Sequence, residues 1–358
     1  MHAPHEPMST IRSSPTANQI SGTPFAEVGP NAPAIVIEHL RKAFGPVRAL
    51  NGLSLRVRRG ECFGLIGPTQ SGKTTALRIL AGLLPPDMGA ASLLGYDLRV
   101  DARQVQRHLG YIGQQAGIDA RLHGRQNVVL MARLHGLGRR AAEQAADEIL
   151  AALDGHALGA LTPSHCNGSQ RALLAIAAAL AHRPPVILLD DPAARLTAAH
   201  RGLLWRYLGR RIRDEGTTVL LATQGLDDAE PLCNRVGIID HGRLLASGDP
   251  AELKAQVGGH TLIVLPLELR SIPDAQSLLE RMGGVRAVRP LHDRIELEVT
   301  GAHAVPMVLR VLEEHDLGVR EITLSRPSLD NVFFRHTGRK IRESREQPPS
   351  GVEVPGHR

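Results

Sequence analysis

Residues 67–74 read Gly67-Pro68-Thr69-Gln70-Ser71-Gly72-Lys73-Thr74, which matches the pattern G-x-x-x-x-G-K-[S/T]. The residues before the motif, 62–66, are almost wholly apolar, which predicts a strand buried on both faces. Apolar residues recur at helical spacing after it, which predicts a helix over residues 72–84. A strand, a glycine-rich loop and a helix in this order point backbone N–H groups and a helix N-terminus at one anion. A glycine turn that binds nothing is the alternative interpretation, and the matching flanks argue against it.

Three side chains carry the chemistry that this pattern indicates. Lys73 can reach the β- and γ-phosphates of a nucleoside triphosphate, and the hydroxyl of Thr74 can ligate Mg²⁺. Asp190 ends a second apolar run, residues 186–189, and so lies at the strand end where parallel sheets bind ligands. We therefore predict that Asp190 is a further partner of Mg²⁺, with a role as N-cap of the next segment as the alternative.

Apolar runs and helical patterns alternate through most of the chain, and this alternation predicts an α/β fold around a buried parallel sheet. The strand-like runs cover residues 34–40, 62–66, 186–189 and 219–222. The helical patterns cover residues 72–84, 141–153, 170–181 and 199–213.

A second, smaller unit follows the glycine pair Gly258-Gly259. Its pattern predicts the order β-α-β-β-α-β of a small α+β (ferredoxin-like) domain, and then a last helix at residues 328–335. The elements are expected at residues 261–269, 274–282, 285–290, 294–299, 305–315 and 319–324. The predicted organisation is a disordered, proline-rich tail at 1–33, domains at 34–257 and 260–336, and a flexible basic tail at 337–358.

Composition excludes several classes of protein. Apolar residues make up 42% of the 358 residues and charged residues 22%, as in a globular protein. The net charge of +6 is too small to predict a nucleic-acid partner, and none is expected. The three cysteines form no C-x-x-C pair, which argues against a zinc ribbon or a disulfide scaffold and favours the cytosol. The longest apolar run, 172–181, is too short to span a membrane.

With these motifs in order, residues 34–335 resemble the nucleotide-binding subunit of ATP-binding-cassette (ABC) transporters. The resemblance implies a P-loop NTPase fold of the ABC type with a helical subdomain, and ATP and Mg²⁺ as cofactors. It assigns catalytic roles to Asp191, Gln224 and Gln114, and metal binding to Thr74, Gln114 and Asp190. It assigns nucleotide binding to Phe44, which would stack on adenine, to the loop residues Gly67, Pro68, Thr69, Gln70, Ser71, Gly72, Lys73, Thr74 and Thr75, and to Asn167, Gly168, Ser169 and Gln170 in the place of the signature motif.

Residues 325–334 and 337–339 narrow the resemblance to exporter ATPases of the daunorubicin-resistance type. That similarity implies a separate membrane permease of the ABC-2 type and a cargo such as a drug, an antibiotic or a polysaccharide. It also implies a second nucleotide-binding subunit, in a homodimer or a heterodimer. The expected location is cytoplasmic, on the inner face of the membrane through the permease.

Several positions depart from the family pattern. Asp191 stands in place of a glutamate, Gln224 in place of a histidine, and Asn167 in place of a serine. Ser169 replaces a glycine, and Thr197 replaces the aspartate of the loop after Asp191. The groups that bind ATP are kept, whereas those aimed at the attacking water are altered. We therefore expect good binding of Mg·ATP and slow hydrolysis.

Two other functions stay open at this point. One is a regulatory or structural nucleotide-binding module that does not hydrolyse ATP, or a heterodimer partner of an intact relative. The other is a cassette ATPase of nucleic-acid metabolism, against which the modest charge and the 3% of aromatic residues argue.

Overall fold

The chain contains both strands and helices from Pro33 onwards. The computed structural model describes residues 32–113, 117–153, 156–257, 260–266, 268–325 and 328–338. The strands are β1 (Pro33–Phe44), β2 (Val47–Arg58), β3 (Cys62–Ile66), β4 (Met88–Leu93), β5 (Tyr96–Asp97), β6 (Leu109–Ile112), β7 (Val186–Asp190), β8 (Thr218–Thr223), β9 (Arg235–Asp240), β10 (Arg243–Gly248), β11 (His260–Pro266), β12 (Val285–Pro290), β13 (Ile295–Val299) and β14 (Val319–Ser325).

The helices lie mostly between the strands of the larger unit. They are α1 (Lys73–Leu80), α2 (Ala102–Arg107), α3 (Gly124–Leu134), α4 (Arg139–Leu153), α5 (His156–Ala160), α6 (Gly168–Leu180), α7 (Ala198–Glu215), α8 (Leu226–Ala229), α9 (Pro250–Val257), α10 (Ile272–Leu279), α11 (Ala304–Glu314) and α12 (Leu329–Thr337). None of these described helices is both long and apolar enough to cross a membrane.

A six-stranded sheet in the order β10-β9-β3-β8-β7-β6 forms the centre of the larger unit. β3 pairs in parallel with β8 and β9, and β7 pairs in parallel with β6 and β8, whereas β10 is antiparallel to β9. Along β7 the side chains of Ile187 and Leu189 enter one apolar cluster, and those of Val186 and Leu188 enter another. Both faces of this strand are therefore buried, which explains its unbroken apolar run.

The two faces of the central sheet are covered differently. On one face, α1 and the four-stranded antiparallel sheet β2-β1-β4-β5 close the cluster that contains Val186 and Leu188. On the other face, α3, α4, α6 and α7 contribute buried alanine, leucine and isoleucine side chains to the cluster that contains Ile187 and Leu189. The helices α3 to α6 pack mainly on one another, so they form the helical subdomain that the resemblance implied.

The smaller unit has the element order β11-α10-β12-β13-α11-β14 and the sheet order β12-β13-β11-β14, antiparallel throughout. This is the topology of a ferredoxin-like domain. The α/β fold with its ferredoxin-like companion is therefore confirmed.

The last helix, α12, packs outside the ferredoxin-like core. Its buried side chains Leu329, Val332 and Phe333 lie in the same apolar cluster as Leu253 of α9 and the helices on the central sheet. The domain boundaries given above stay a prediction, and this helix contacts the larger unit.

Some element ends differ from the sequence expectation. The helix after the motif of residues 67–74 ends at Leu80 and not at residue 84, because the chain turns at Gly82, where φ is +69°. β11 ends at Pro266 and not at residue 269, since proline has no N–H to continue a ladder. The helix α3 and the strands β2 and β4 to β6 had no counterpart among the predicted elements. The two predicted tails lie outside the described residues, except for residues 32, 33, 337 and 338.

Candidate nucleotide site

The loop between β3 and α1 curls so tightly that two of its positions admit only glycine. A Cβ at Gly67 would lie 2.2 Å from the carbonyl oxygen of Ile239, and one at Gly72 would lie 2.4 Å from that of Ala49. Gly72 also has a φ of +106°, in the region that L side chains rarely adopt. These close approaches place the loop against β9 and β2 at the start of α1.

Lys73 is folded into this loop. Its Nζ donates to the carbonyl oxygens of Gly67 and Pro68, each at 2.7 Å, and to Oγ of Ser71 at 3.2 Å. Burial lowers the pKa of Lys73 to about 8, although the carboxylates of Asp191 and Asp190 favour its charged form. A buried ammonium therefore lies in the concavity where the loop amides would meet a phosphate.

The Thr74 hydroxyl donates to Oδ1 of Asp190 at 2.9 Å. Burial raises the pKa of Asp190, and the neighbouring charge of Asp191 acts in the same direction. The other oxygen of Asp190, Oδ2, is buried and accepts no hydrogen bond within the described part of the chain. A hydroxyl beside a carboxylate with an unused oxygen is a donor set that suits Mg²⁺, so Thr74 and Asp190 fit the metal that the motif implies.

Asp191 and Gln224 extend from the ends of neighbouring strands. The Asp191 backbone is left-handed, with φ of +50°, and its N–H donates to the carbonyl of Ala222 at 2.8 Å. Oε1 of Gln224 accepts a hydrogen bond from Oγ1 of Thr69 at 3.1 Å. The structure thus brings Lys73, Thr74, Asp190, Asp191 and Gln224 together around one loop.

The remaining residues predicted near the nucleotide lie around this centre. Phe44 ends β1 with 50% of its surface exposed, and Nζ of Lys42 lies 5.8 Å from the ring centroid. An exposed ring of this kind is free to stack on a base. Thr69 and Gln70 are exposed at the loop tip, and Thr75 is half-buried on α1.

Residues 167–170 form the start of α6. Asn167 is the N-cap, since its Oδ1 accepts from the N–H of Gln170 at 2.9 Å, and Oε1 of Gln170 accepts from the N–H of Asn167 at 3.0 Å. Gly168 is the first helical residue and Ser169 is buried. Within the described residues, no hydrogen bond joins this segment to the loop of residues 67–74, which we call the phosphate loop.

Gln114 lies outside the described residues, so its predicted role stays a prediction. The carbonyl of Gly113, just before it, accepts a hydrogen bond from Nη2 of Arg195 at 2.8 Å. Sequence patterns indicated no role for Arg195 or for His200, which contacts Ser169. No sequence pattern could have revealed these two contacts, because both join segments that are distant along the chain.

Two family models match the chain. Residues 50–194 match the family described as ABC transporter. Residues 248–337 match the C-terminal domain of ATP-binding proteins described as DrrA1-3-like.

Individual proteins are similar over nearly their whole length. The daunorubicin resistance ATP-binding protein DrrA3 of Streptomyces coeruleorubidus is 38% identical over 319 residues, which are 87% of this chain and 98% of the relative. The daunorubicin/doxorubicin resistance ATP-binding protein DrrA of Streptomyces peucetius is 37% identical, over 85% of this chain and 92% of its own. A dimeric ATP-binding cassette bound to ADP and Pi has the same fold, with a TM-score of 0.56 at 24% identity over 60% of this chain and 98% of its own.

Proposed function

Since the chain belongs to the family of ABC transporter ATP-binding proteins of the DrrA type, we propose that it binds Mg·ATP at the loop of residues 67–74 and hydrolyses it slowly. ATP binding and a transporter partner are properties of this family. Beyond these family properties, we propose which residues form the site and that hydrolysis is slow.

The observation that carries the proposal is the position of Lys73. Its ammonium is buried within a curled loop, and the hydrogen-bonded pair of Thr74 and Asp190 lies beside it. When ATP binds, Lys73 exchanges its hydrogen bonds to the loop carbonyls for the β- and γ-phosphate oxygens. Thr74 and Asp190, with Gln114, would hold a magnesium ion, which would neutralise charge on the phosphates.

Phe44 and the start of α6 complete the nucleotide site in this proposal. Phe44 stacks on the adenine of the same subunit, because it is exposed at the end of a strand. Asn167, Gly168, Ser169 and Gln170 contact the nucleotide of a second subunit, since no hydrogen bond joins these described residues to the chain's own phosphate loop. That second subunit is an identical chain or a relative.

Slow turnover follows from the two groups that face the attacking water. The carboxylate of Asp191 is one methylene shorter than the glutamate it replaces, and a displacement of about 1 Å can cost about 10²-fold in rate. The carboxamide of Gln224 is held by Thr69 on the phosphate loop. It keeps N–H donors for a phosphate but cannot act as a base.

ATP-driven closure of two such subunits would move a membrane permease of the ABC-2 type, docked near Gln114 and the helical subdomain. In this proposal the protein works at the cytoplasmic face of the membrane. Two of the similar proteins are named for resistance to daunorubicin or doxorubicin. We propose a cargo of the same broad class, a drug or antibiotic carried outward.

The test restores the family residues at three positions. The ATPase rate of the full chain is measured before and after the combined changes Asp191→Glu, Gln224→His and Asn167→Ser. We expect kcat to rise by about tenfold or more, because a longer carboxylate and an imidazole return to the attacking water. The control adds Lys73→Ala to the triple variant and should remove the gain.

A triple variant no faster than the wild type would contradict the assignment of slow turnover to these residues. If neither chain hydrolyses ATP and both bind it, the chain is a regulatory nucleotide-binding module.

A further inference from the structure

The starts of α6 and α7 are joined by hydrogen bonds among Ser169, Thr197 and His200. Oγ of Ser169, the second residue of α6, lies 2.6 Å from Nδ1 of His200. The backbone N–H of Thr197 donates to the same oxygen at 2.9 Å. Thr197 is the N-cap of α7, since its Oγ1 accepts from the N–H of His200 at 3.3 Å. The three residues therefore form a closed triangle between two helix starts.

The serine hydroxyl is the group that closes this triangle. A hydroxyl offers one proton and two acceptor lone pairs. The N–H of Thr197 takes one lone pair of Ser169, and the proton or the second lone pair faces Nδ1 of His200. A glycine at position 169, as in the family pattern, could serve neither neighbour. Ser169 is 9% exposed, so little water can replace its contribution.

The segment that reaches Thr197 begins at the phosphate site. Asp191 precedes a 3-10 turn, Pro192–Arg195, and Thr197 follows two residues after that turn. Arg195 of the turn donates to the carbonyl of Gly113 at 2.8 Å. At the other side of the triangle, Asn167 and Gln170 fix the first turn of α6 by their mutual cap. A short, hydrogen-bonded path thus connects Asp191 with residues 167–170.

We propose that Ser169, Thr197 and His200 are positioning residues that tie the start of α6 to the segment after Asp191, so that the two segments move together. This inference rests on the proposed function, because it treats residues 167–170 as part of the nucleotide machinery. The serine at position 169 then supplies the hydroxyl that Thr197 and His200 contact. Restoring glycine at position 169 alone should harm turnover and not improve it.

The experiment is a double-mutant cycle in the full chain with Ser169→Gly, His200→Ala and their combination. We expect each single change to lower kcat about tenfold with KM within about twofold, and the combination to be no slower than the slower single variant. His200→Asn, which keeps a polar atom near the position of Nδ1, should retain at least half of the wild-type kcat. His315→Ala, at an exposed histidine of the smaller unit, is the control.

Amide hydrogen exchange tests the link independently of turnover. The Thr197 amide should exchange about tenfold faster in Ser169→Gly and in His200→Ala than in the wild type, because its acceptor or that acceptor's partner is lost. Unchanged exchange, a kcat of Ser169→Gly at or above the wild-type value, or single effects that multiply in the combination would each overturn the proposal.

A nucleotide titration of the wild-type chain separates this inference from the proposed function. Failure to bind ATP would overturn the proposed function, and the exchange measurement would still decide whether the link exists.

Discussion

Asp191, directly after β7, combines an unusual backbone conformation with a short side chain. Asp191 holds a left-handed backbone, with φ of +50°, which costs a residue other than glycine roughly 1–3 kcal/mol. The strain is held by its N–H bond to the carbonyl of Ala222 at 2.8 Å. The backbone therefore fixes where the carboxylate begins, and the length of the side chain decides whether it reaches a water. In the proposed function, the shorter side chain of Asp191 is therefore one of the two causes of slow turnover, beside Gln224.

His182 and His135 form a stacked pair, and the pKa of His182 depends on the residues around it. Their rings stack with centroids 3.7 Å apart and planes 5° apart. Burial lowers the pKa of His182 to about 4, and the neighbouring His135 and Arg211 act in the same direction. His182 therefore binds a proton less readily in the folded chain than in the unfolded chain.

The contribution of neutral His182 to the free energy of unfolding is fully present above the ordinary histidine pKa of 6.5. It is lost as the pH falls towards about 4. We expect on the order of 2–3 kcal/mol of the loss in unfolding free energy between pH 7.5 and pH 4 to come from this group. His182→Phe keeps a flat ring on His135 without a titrating nitrogen, so its loss over that range should be smaller by this amount. Denaturant unfolding at both pH values measures it, and an identical loss in both chains would contradict the assignment.

At the scale of elements, α12 connects the smaller unit to the larger one. It follows β14, yet Leu329, Val332 and Phe333 are buried in the cluster on the central sheet. Asn331 of the same helix donates to Oγ1 of Thr261 in β11 at 3.2 Å. One helix thus contacts both units.

This packing predicts the effect of truncating Phe333. Its side chain has no exposed surface, so Phe333→Ala should lower the free energy of unfolding by about 3–5 kcal/mol through lost burial and a cavity. Met307→Ala, at a side chain that is 48% exposed in α11, is the matched control and should stay within about 0.5 kcal/mol of the wild type. A loss below about 1 kcal/mol for Phe333→Ala would show that α12 does not pack into the larger core.

Across the whole molecule, the elements that the sequence predicted are those with a local sequence pattern. The strand, loop and helix around Lys73 were predictable because glycine spacing and apolar runs are read within a short window. The order β-α-β-β-α-β was predictable for the same reason. The helix α3 was not, because only four of its residues are buried and its packing depends on α4 and α6.

Contacts between distant segments could not be predicted. The hydrogen bond between Thr69 and Gln224 joins residues 155 positions apart, and that between Ser169 and His200 joins residues 31 positions apart. The burial of α12 against the larger unit is of the same kind. Only the fold brings these residues together. The sequence therefore predicted which residues belong to the candidate site, but not the contacts between them.

The most direct test of the account is a titration of the full chain with Mg·ATP. We predict saturable binding by the wild type, binding at least about tenfold weaker in Lys73→Ala, and unchanged binding in Lys254→Ala, a surface lysine paired with Glu230. Lys73 is the residue to change, because it is the only ammonium of the phosphate loop and contacts Gly67, Pro68 and Ser71. No affinity for ATP in the wild type, or equal affinity in Lys73→Ala, would contradict the proposed function.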